Sequence, residues 1–417
     1  METVHKGLRV RIYPDTEQTT LINKTLGCSR FIYNQMLNER IEVYEKLKDN
    51  KRELYEYKYK TEKQYKEEYE WLKEVDSTAL QQSRMNLGVA YTNFFKSLKG
   101  KRKGKKVGFP KFKKKKNTNK YRSVMNIRID YQNNKIKLPK VGWVNFKHRN
   151  IKDWYKGGRL KSITITKTPT GKYFATMLIE NTPDFTGIQK ISNNPKTIGL
   201  DMSLDKFYVD NLGKTPSNHR RFFREEQKRL RREQRRKSRK QKGSKNAEKQ
   251  RRKVARVHED IKNKRSDFVH KLSKSLVNNY DVIVVESLSL AGMARALKLG
   301  KSVHDLGYSE FVRQLQYKCL WNDKTLIKAD QWFASSKTCS FCGHKNKGLL
   351  LHERKWTCPS CGTELERDQN AGVNLNNYGL KFLGLEQPKF TPSESLALAC
   401  GKSISETSDV EQGSPSL

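Results

Sequence analysis

Residues Gly7 to Asp15 read GLRVRIYPD, alternating apolar and basic side chains at period two until a proline interrupts. That pattern predicts a short strand ending in a turn. From Thr16 the apolar positions Ile22, Leu26, Tyr33 and Leu37 recur at helical spacing, and a charged, tyrosine-rich stretch continues to Trp71. Ser77 or Thr78 can cap a further helix whose buried stripe is Leu80, Leu87, Tyr91 and Phe94. Thr16 to Lys96 therefore reads as a small helical domain, its tyrosines serving as core and rim. Arg122 to Asn181 returns to strand patterning in MNIRID, KIKLP, VNFKH, SITITK and YFATMLI, and the turn at Thr168 to Gly171 predicts a hairpin. A β-rich module enclosing the helical insertion, with the first strand completing its sheet, fits this order. Beyond a boundary at Asn193 to Pro195, TIGLDMS and KFYVDN predict two more strands. Helical spacing then runs through Val269, Leu272 and Leu276 into a buried strand, DVIVVES. The fold class expected is α+β, in several domains.

Charge changes the picture. The 417 residues carry 86 lysines and arginines against 44 acids, a net +42, and such a surface calls for a polyanionic partner, above all nucleic acid. Two segments concentrate it. Lys96 to Lys116 holds twelve basic and no acidic residues, with Phe109 and Phe112 offering stacking faces among the lysines. Arg220 to Arg256 holds 19 basic residues against four acids, too few for a helix laced with salt bridges. Lys105, Lys106, Phe109, Lys111, Lys113 and Lys114 in the first run, and Arg231, Arg232, Arg235 and Arg236 in the second, are the expected nucleic-acid contacts. No stretch has the length of a spanning helix and the amino end lacks the apolar core of a signal peptide, so a soluble, cytoplasmic protein with no membrane partner is expected. Thr391 to Leu417, rich in serine and locally acidic, reads as a disordered tail.

The sharpest chemical signal is Cys339-Ser-Phe-Cys342, a gap of fifteen residues, and Cys358-Pro-Ser-Cys361. Two close thiolate pairs suit one tetrahedral zinc ion, with Gly343 and Gly362 at the knuckles; with no open position, the zinc is structural. Three acids stand where an acid is costly: Asp201 ends TIGL, Glu286 ends VIVV, and Asp368 lies just beyond the second cysteine pair. Acids on two neighbouring strands and a helix are how a ribonuclease H-like sheet gathers two magnesium ions for phosphodiester hydrolysis.

GLDMSLDKF around Asp201, VVESLSLAGM around Glu286, SSKTCSFCG with CPSCG, and ERDQNAGVNL around Asp368 make the chain resemble the TnpB family. These are transposon-encoded, RNA-guided endonucleases similar to compact type V CRISPR effectors. GCSRFIYNQML, GFPKFKK and HDLGYSEFVRQLQYK extend the resemblance over nearly the whole chain. It implies a wedge module at 1–15 and 117–194, a helical recognition domain at 16–116, a RuvC nuclease domain at 195–334 and 364–390, and a zinc ribbon at 335–363. It also implies a guide RNA from the transposon end, a target double-stranded DNA and a short target-adjacent motif, with Asp201, Glu286 and Asp368 as the catalytic acids. Gln81 and Gln82, on the recognition helix, are candidates for reading base edges of that motif. ESLSLAGM stands where EDLNVKGM is more usual, and NAGVN where NAAxN is. Two rivals remain open: a conventional transposase, which also uses three acids, and a nuclease-inactive RNA-guided repressor. A monomer with RNA is the expected assembly.

Overall fold

The computed structural model describes residues 4–115, 119–148, 158–181, 194–217, 221–290, 292–293, 300–350 and 352–385. The tail at 391–417, Lys116 and Cys400 lie outside the described residues, as do parts of the expected module boundaries. The chain divides into two compact units, Met1–Phe185 and Thr186–Leu417.

The first unit is built on a seven-stranded antiparallel sheet in the order β2-β6-β7-β1-β5-β4-β3. Its strands are β1 (Val4–Tyr13), β2 (Lys120–Ser123), β3 (Arg128–Asp130), β4 (Lys135–Leu138), β5 (Gly142–Lys147), β6 (Arg159–Lys167) and β7 (Tyr173–Asn181). β1 lies mid-sheet between β7 and β5, pairing Val10 with Ala175 and Arg11 with Lys147. Its alternation therefore buries Leu8, Val10 and Ile12 in the same core as Ile163, Ile165, Ala175 and Met177. The β6–β7 hairpin turns at Thr168 to Gly171, where Gly171 has φ of +90°.

Between β1 and β2 run α1 (Thr16–Leu47), α2 (Lys51–Glu56), α3 (Glu62–Glu68), a 3-10 turn (Glu70–Glu74) and α4 (Ser77–Leu98). Asp15 and Gln18 form a capping box at the start of α1. At α4 the cap is Asp76, one residue before the serine and threonine that sequence favours. Its carboxylate accepts from the Thr78 amide at 2.8 Å and from the Thr78 and Ser123 hydroxyls, so it ties β2 to the helix while starting it. Ile32, Leu37, Leu72, Leu80 and Leu87 fill the core between α1 and α4.

The second unit centres on a four-stranded sheet, β11-β10-β8-β9, formed by β8 (Thr197–Ser203), β9 (Phe207–Asp210), β10 (Val282–Val285) and β11 (Thr325–Lys328). β8, β10 and β11 are parallel and β9 is antiparallel to β8. A basic helical hairpin follows β9: α5 (Phe222–Ser238) and α6 (Lys245–Asn279), joined through Phe222, Leu230, Val254, Val257 and Ile261. α7 (Gly300–Leu306) and α8 (Tyr308–Trp321) lead into β11, β12 (Lys355–Thr357) and β13 (Glu364–Glu366) form a small ribbon, and α9 (Arg367–Phe382) closes the unit.

α9 lies on the sheet at backbone contact. A Cβ on Gly199 of β8 would meet the Gly372 carbonyl oxygen at 2.2 Å, and one on Gly372 would meet the Asp210 carbonyl carbon at 2.7 Å. Only glycine permits that approach, and it fixes the height of the helix whose first turn carries Asp368.

Candidate active site and metal centre

Register brings two of the predicted acids together. Val285 pairs with Leu200 across the parallel β10–β8 ladder, so Glu286 and Asp201, the next residues on each strand, come out side by side. Burial, then the charges of Glu286 and of Asp368, push the Asp201 carboxyl up to about 8, and a hydrogen bond between Asp201 and Glu286 adds to the rise. Glu286 is also raised, burial outweighing the hydrogen bonds it makes with Ser335 and Asp201. The Ser335 hydroxyl donates to Glu286 Oε1 at 2.8 Å. Asp368, in the first turn of α9 with its side chain 13% exposed, accepts from Arg354 at 3.1 Å. Lys206 lies 3.8 Å from its other oxygen and 3.7 Å from Glu366.

The donors fit a hard divalent cation in kind, being carboxylates without imidazole or thiol. They are not yet gathered: among the described residues, the four cysteines are the group of three or more ligand-type side chains whose donor atoms all lie within 4.8 Å. Asp368 is drawn toward Arg354 and Lys206.

The cysteines fit zinc closely. The Sγ atoms of Cys339 and Cys361 lie 3.8 Å apart and those of Cys342 and Cys358 3.6 Å. A tetrahedral Zn–S bond of about 2.3 Å gives an S–S edge of about 3.8 Å. At each knuckle a glycine with positive φ, Gly343 at +77° and Gly362 at +72°, returns its amide to the first cysteine's carbonyl at 2.9 Å. Leu349, Trp356 and Leu365 pack behind the thiols, so the ribbon's own core is small.

Several residues the sequence reading did not single out join ribbon to acids. On α9, Asn370 accepts from the Ser340 amide at 2.9 Å and donates to the Thr338 carbonyl at 2.8 Å. One turn later Asn374 donates to the carbonyls of Ser335, at 2.7 Å, and Thr338. The i, i+4 spacing in NAGVN puts both amides on one helix face, and that spacing is the signal by which they could have been found. Ser335, Arg354 and Lys206 left no comparable mark.

The expected nucleic-acid residues divide by exposure. Lys105, Lys106, Lys111, Lys114 and Gln81 are exposed, and Phe109 is 45% exposed while packing edge-on against Tyr91 and Phe94. Gln82 is half-buried and donates to the Met85 sulfur at 3.1 Å. Lys113 turns inward: its ammonium sits 3.6 Å from the Tyr33 ring centroid, and Asn34 clamps its backbone at 2.7 and 3.1 Å. Burial brings its ammonium down to about 8. On α5, Arg231, Arg232, Arg235 and Arg236 are all exposed, and Arg232 and Arg236 also pair with the buried Glu233 at 3.5 and 3.2 Å. Among the described residues, no helix is long and apolar enough to cross a membrane.

Half-buried carboxylates side by side at adjacent strand ends, a helix that carries a third, a four-thiol ribbon and a basic helical hairpin together make an α+β protein with the charge to bind nucleic acid. The model for the family described as "Probable transposase" matches residues 176–297, that for "Cas12f1-like, TNB domain" residues 308–375, and a "Helix-turn-helix domain" residues 1–49. Within that last span the described residues form β1 and one unbroken helix, α1. A Streptomyces pristinaespiralis protein named "Putative RNA-guided DNA endonuclease" is 31% identical over 91% of this chain and 90% of its own length. An Escherichia coli K12 protein, "Putative RNA-guided DNA endonuclease InsQ", is 30% identical over 89% and 91%. The chain of a solved Cas12f1–sgRNA–target DNA complex superposes with a TM-score of 0.51 at 15% identity, covering 90% of this chain and 99% of that one, a likeness of fold. The chain belongs to the TnpB family of RNA-guided DNA endonucleases.

Proposed function

We propose that the protein is an RNA-guided DNA endonuclease whose cutting centre is Asp201, Glu286 and Asp368. One observation carries this reading: acids 85 and 82 residues apart in sequence act on one another, and the innermost is pushed up to about 8 by burial and by the other two. Such a like-charged cluster costs stability without a cation and marks a functional site. Asp201 and Glu286 would hold magnesium from the sheet, and Asp368 from α9 once it parts from Arg354 and Lys206. Two bound magnesium ions supply a water of lowered pKa and charge stabilisation on the phosphodiester. Hydrolysis would leave a 3′ hydroxyl and a 5′ phosphate. Ser335 fixes the Glu286 carboxylate, and the ribbon, holding structural zinc, fixes α9 through Asn370 and Asn374.

The guide comes from the transposon end and its pairing selects the target beside a short adjacent motif, while exposed lysines and arginines grip backbones. Lys105, Lys106, Lys111, Lys114, Arg231, Arg232, Arg235 and Arg236 are exposed side chains suited to that work, and Gln81 is the exposed candidate for the motif. The protein acts as a monomer with its RNA. The family description "Probable transposase" keeps strand transfer without RNA as the second reading. Rewriting the guide separates them: cleavage should move to the matching DNA beside the same motif. A cut site that stays in place, or full cleavage after ribonuclease treatment, overturns the guided reading.

A further inference from the structure

The segment between β11 and the ribbon leaves the sheet beside Glu286 and comes back to it. The Ala329 amide donates to the Val285 carbonyl at 2.9 Å, extending the ladder to the residue before Glu286, and six residues later Ser335 donates to Glu286 itself. In between, the loop is tightly fixed. Asp330 accepts from the Trp332 amide at 2.8 Å, the Phe333 amide donates to the Asp330 carbonyl at 3.1 Å, and Asn374 holds the Ser335 carbonyl. Phe333 turns inward against Tyr378, ring centroids 4.9 Å apart, on the core of Val282, Val284 and Ile327.

Trp332 does the opposite. Its side chain is 85% exposed and has no ring or cation partner among the described residues. A large flat ring held in water on a pinned loop is a preorganised face, open for another ring to stack on. Three residues of chain span at most about 10 Å, so Trp332 Cα lies within about 10 Å of Ser335 Cα, next to the carboxylates. Stacked nucleotides, rising about 3.4 Å each, cover that distance in three steps. Every base offers a π face, and indole is the strongest such platform among side chains that need no charge or sequence match.

We propose that Trp332 is a positioning residue that stacks on a base of the strand being cut, within about three nucleotides of the scissile phosphodiester. This rests on the nuclease reading of Asp201, Glu286 and Asp368. Stacking locks the strand's direction and register as it crosses the acids, without reading sequence.

The test uses the full chain with its guide RNA and a DNA target carrying 2-aminopurine at each position around the cut. In the Asp201→Ala complex, which keeps the strand whole, one position should be quenched, and the quenching should be lost several-fold when Trp332→Ala is added. Trp332→Ala alone should melt with wild type and cut about tenfold more slowly, and Trp332→Phe should recover most of that. An abasic site at the quenched position should slow wild type similarly and add nothing to Trp332→Ala. Emission that is the same with and without Trp332 at every position, or an abasic penalty undiminished in Trp332→Ala, overturns the proposal. If wild-type complex cuts nothing while the Trp332-dependent quenching persists, the nuclease reading falls and the stacking stands.

Discussion

Gly372→Ala is a one-carbon test of how the acid centre is built. The added Cβ would sit 2.7 Å from the Asp210 carbonyl carbon and 2.8 Å from the Asp210 oxygen and the Asn211 nitrogen. All three are backbone atoms at the end of β9, so none can rotate away. Reaching an ordinary contact of 3.4 Å requires α9 to retreat by about 0.7 Å. Overpacking of this kind costs about 2 kcal/mol. For a unit of this size that lowers the melting temperature by about 4 to 8 °C. Because Asp368 rides on the first turn of the same helix, a displacement approaching 1 Å should slow cleavage by up to about 10²-fold. The assay is single-turnover cleavage and thermal melting of the guide-loaded protein, with the half-buried Asn377→Ala on the same helix as control. Zinc content should be unchanged. If Gly372→Ala melts and cuts like wild type, α9 is not set by its contact with β9 and the account of the centre's geometry is wrong.

Asp201→Ala should abolish cleavage and leave guided DNA binding nearly intact, because it removes a metal ligand and no phosphate grip; full cleavage in magnesium would falsify the assignment. Purified protein should hold about one zinc per chain by elemental analysis, and Cys342→Ser should lose it together with nuclease activity, since Asn370 and Asn374 seat α9 on the first knuckle. Neutralising Lys114 and Lys115 should flatten the salt dependence of nucleic-acid binding by a slope of about one per lost phosphate contact, measured by titration at several salt concentrations; an unchanged slope removes the loop from the interface. Lys113 should act through stability. With its folded ammonium near 8 and its ordinary value 10.5, the unfolded chain binds the extra proton between those limits, so stability from this group rises with pH across that window. Denaturant melts at pH 8 and pH 10 should show that rise in wild type and less of it in Lys113→Met.

What was legible in the sequence was whatever a local pattern or a spacing controls. Period-two alternation located β1 and the β6–β7 hairpin, and two CxxC pairs located the ribbon. The acids showed because charge at the end of TIGL or VIVV contradicts its surroundings. What escaped depends on atoms brought together across the chain. Asp76 outcompetes Ser77 and Thr78 as the cap because β2 supplies Ser123 to the same carboxylate. Lys113 reads as one more nucleic-acid-binding lysine of the loop until Tyr33 and Asn34 fold over it. Gly372 looks like a mild departure from the more usual alanine, yet the closeness of Asp210 leaves no room for that alanine here. Phe207 adopts φ of +72°, a conformation no pattern assigns to a bulky residue, at the start of β9, where Tyr308 donates to its carbonyl at 2.9 Å.

The spread of the acid centre along the chain also fixes when it can exist. Asp201 and Glu286 meet only after β10 pairs with β8, and Asp368 leaves the ribosome 167 residues after Asp201. At about 5 to 20 residues per second, roughly 10 to 30 s separate the two. The lysine-rich loop before β2 and the whole basic hairpin emerge before Asp368. If those three acids are the cutting centre, a nascent chain presents its basic segments well before that centre is complete, and RNA met in that interval is met by a protein that cannot yet cut.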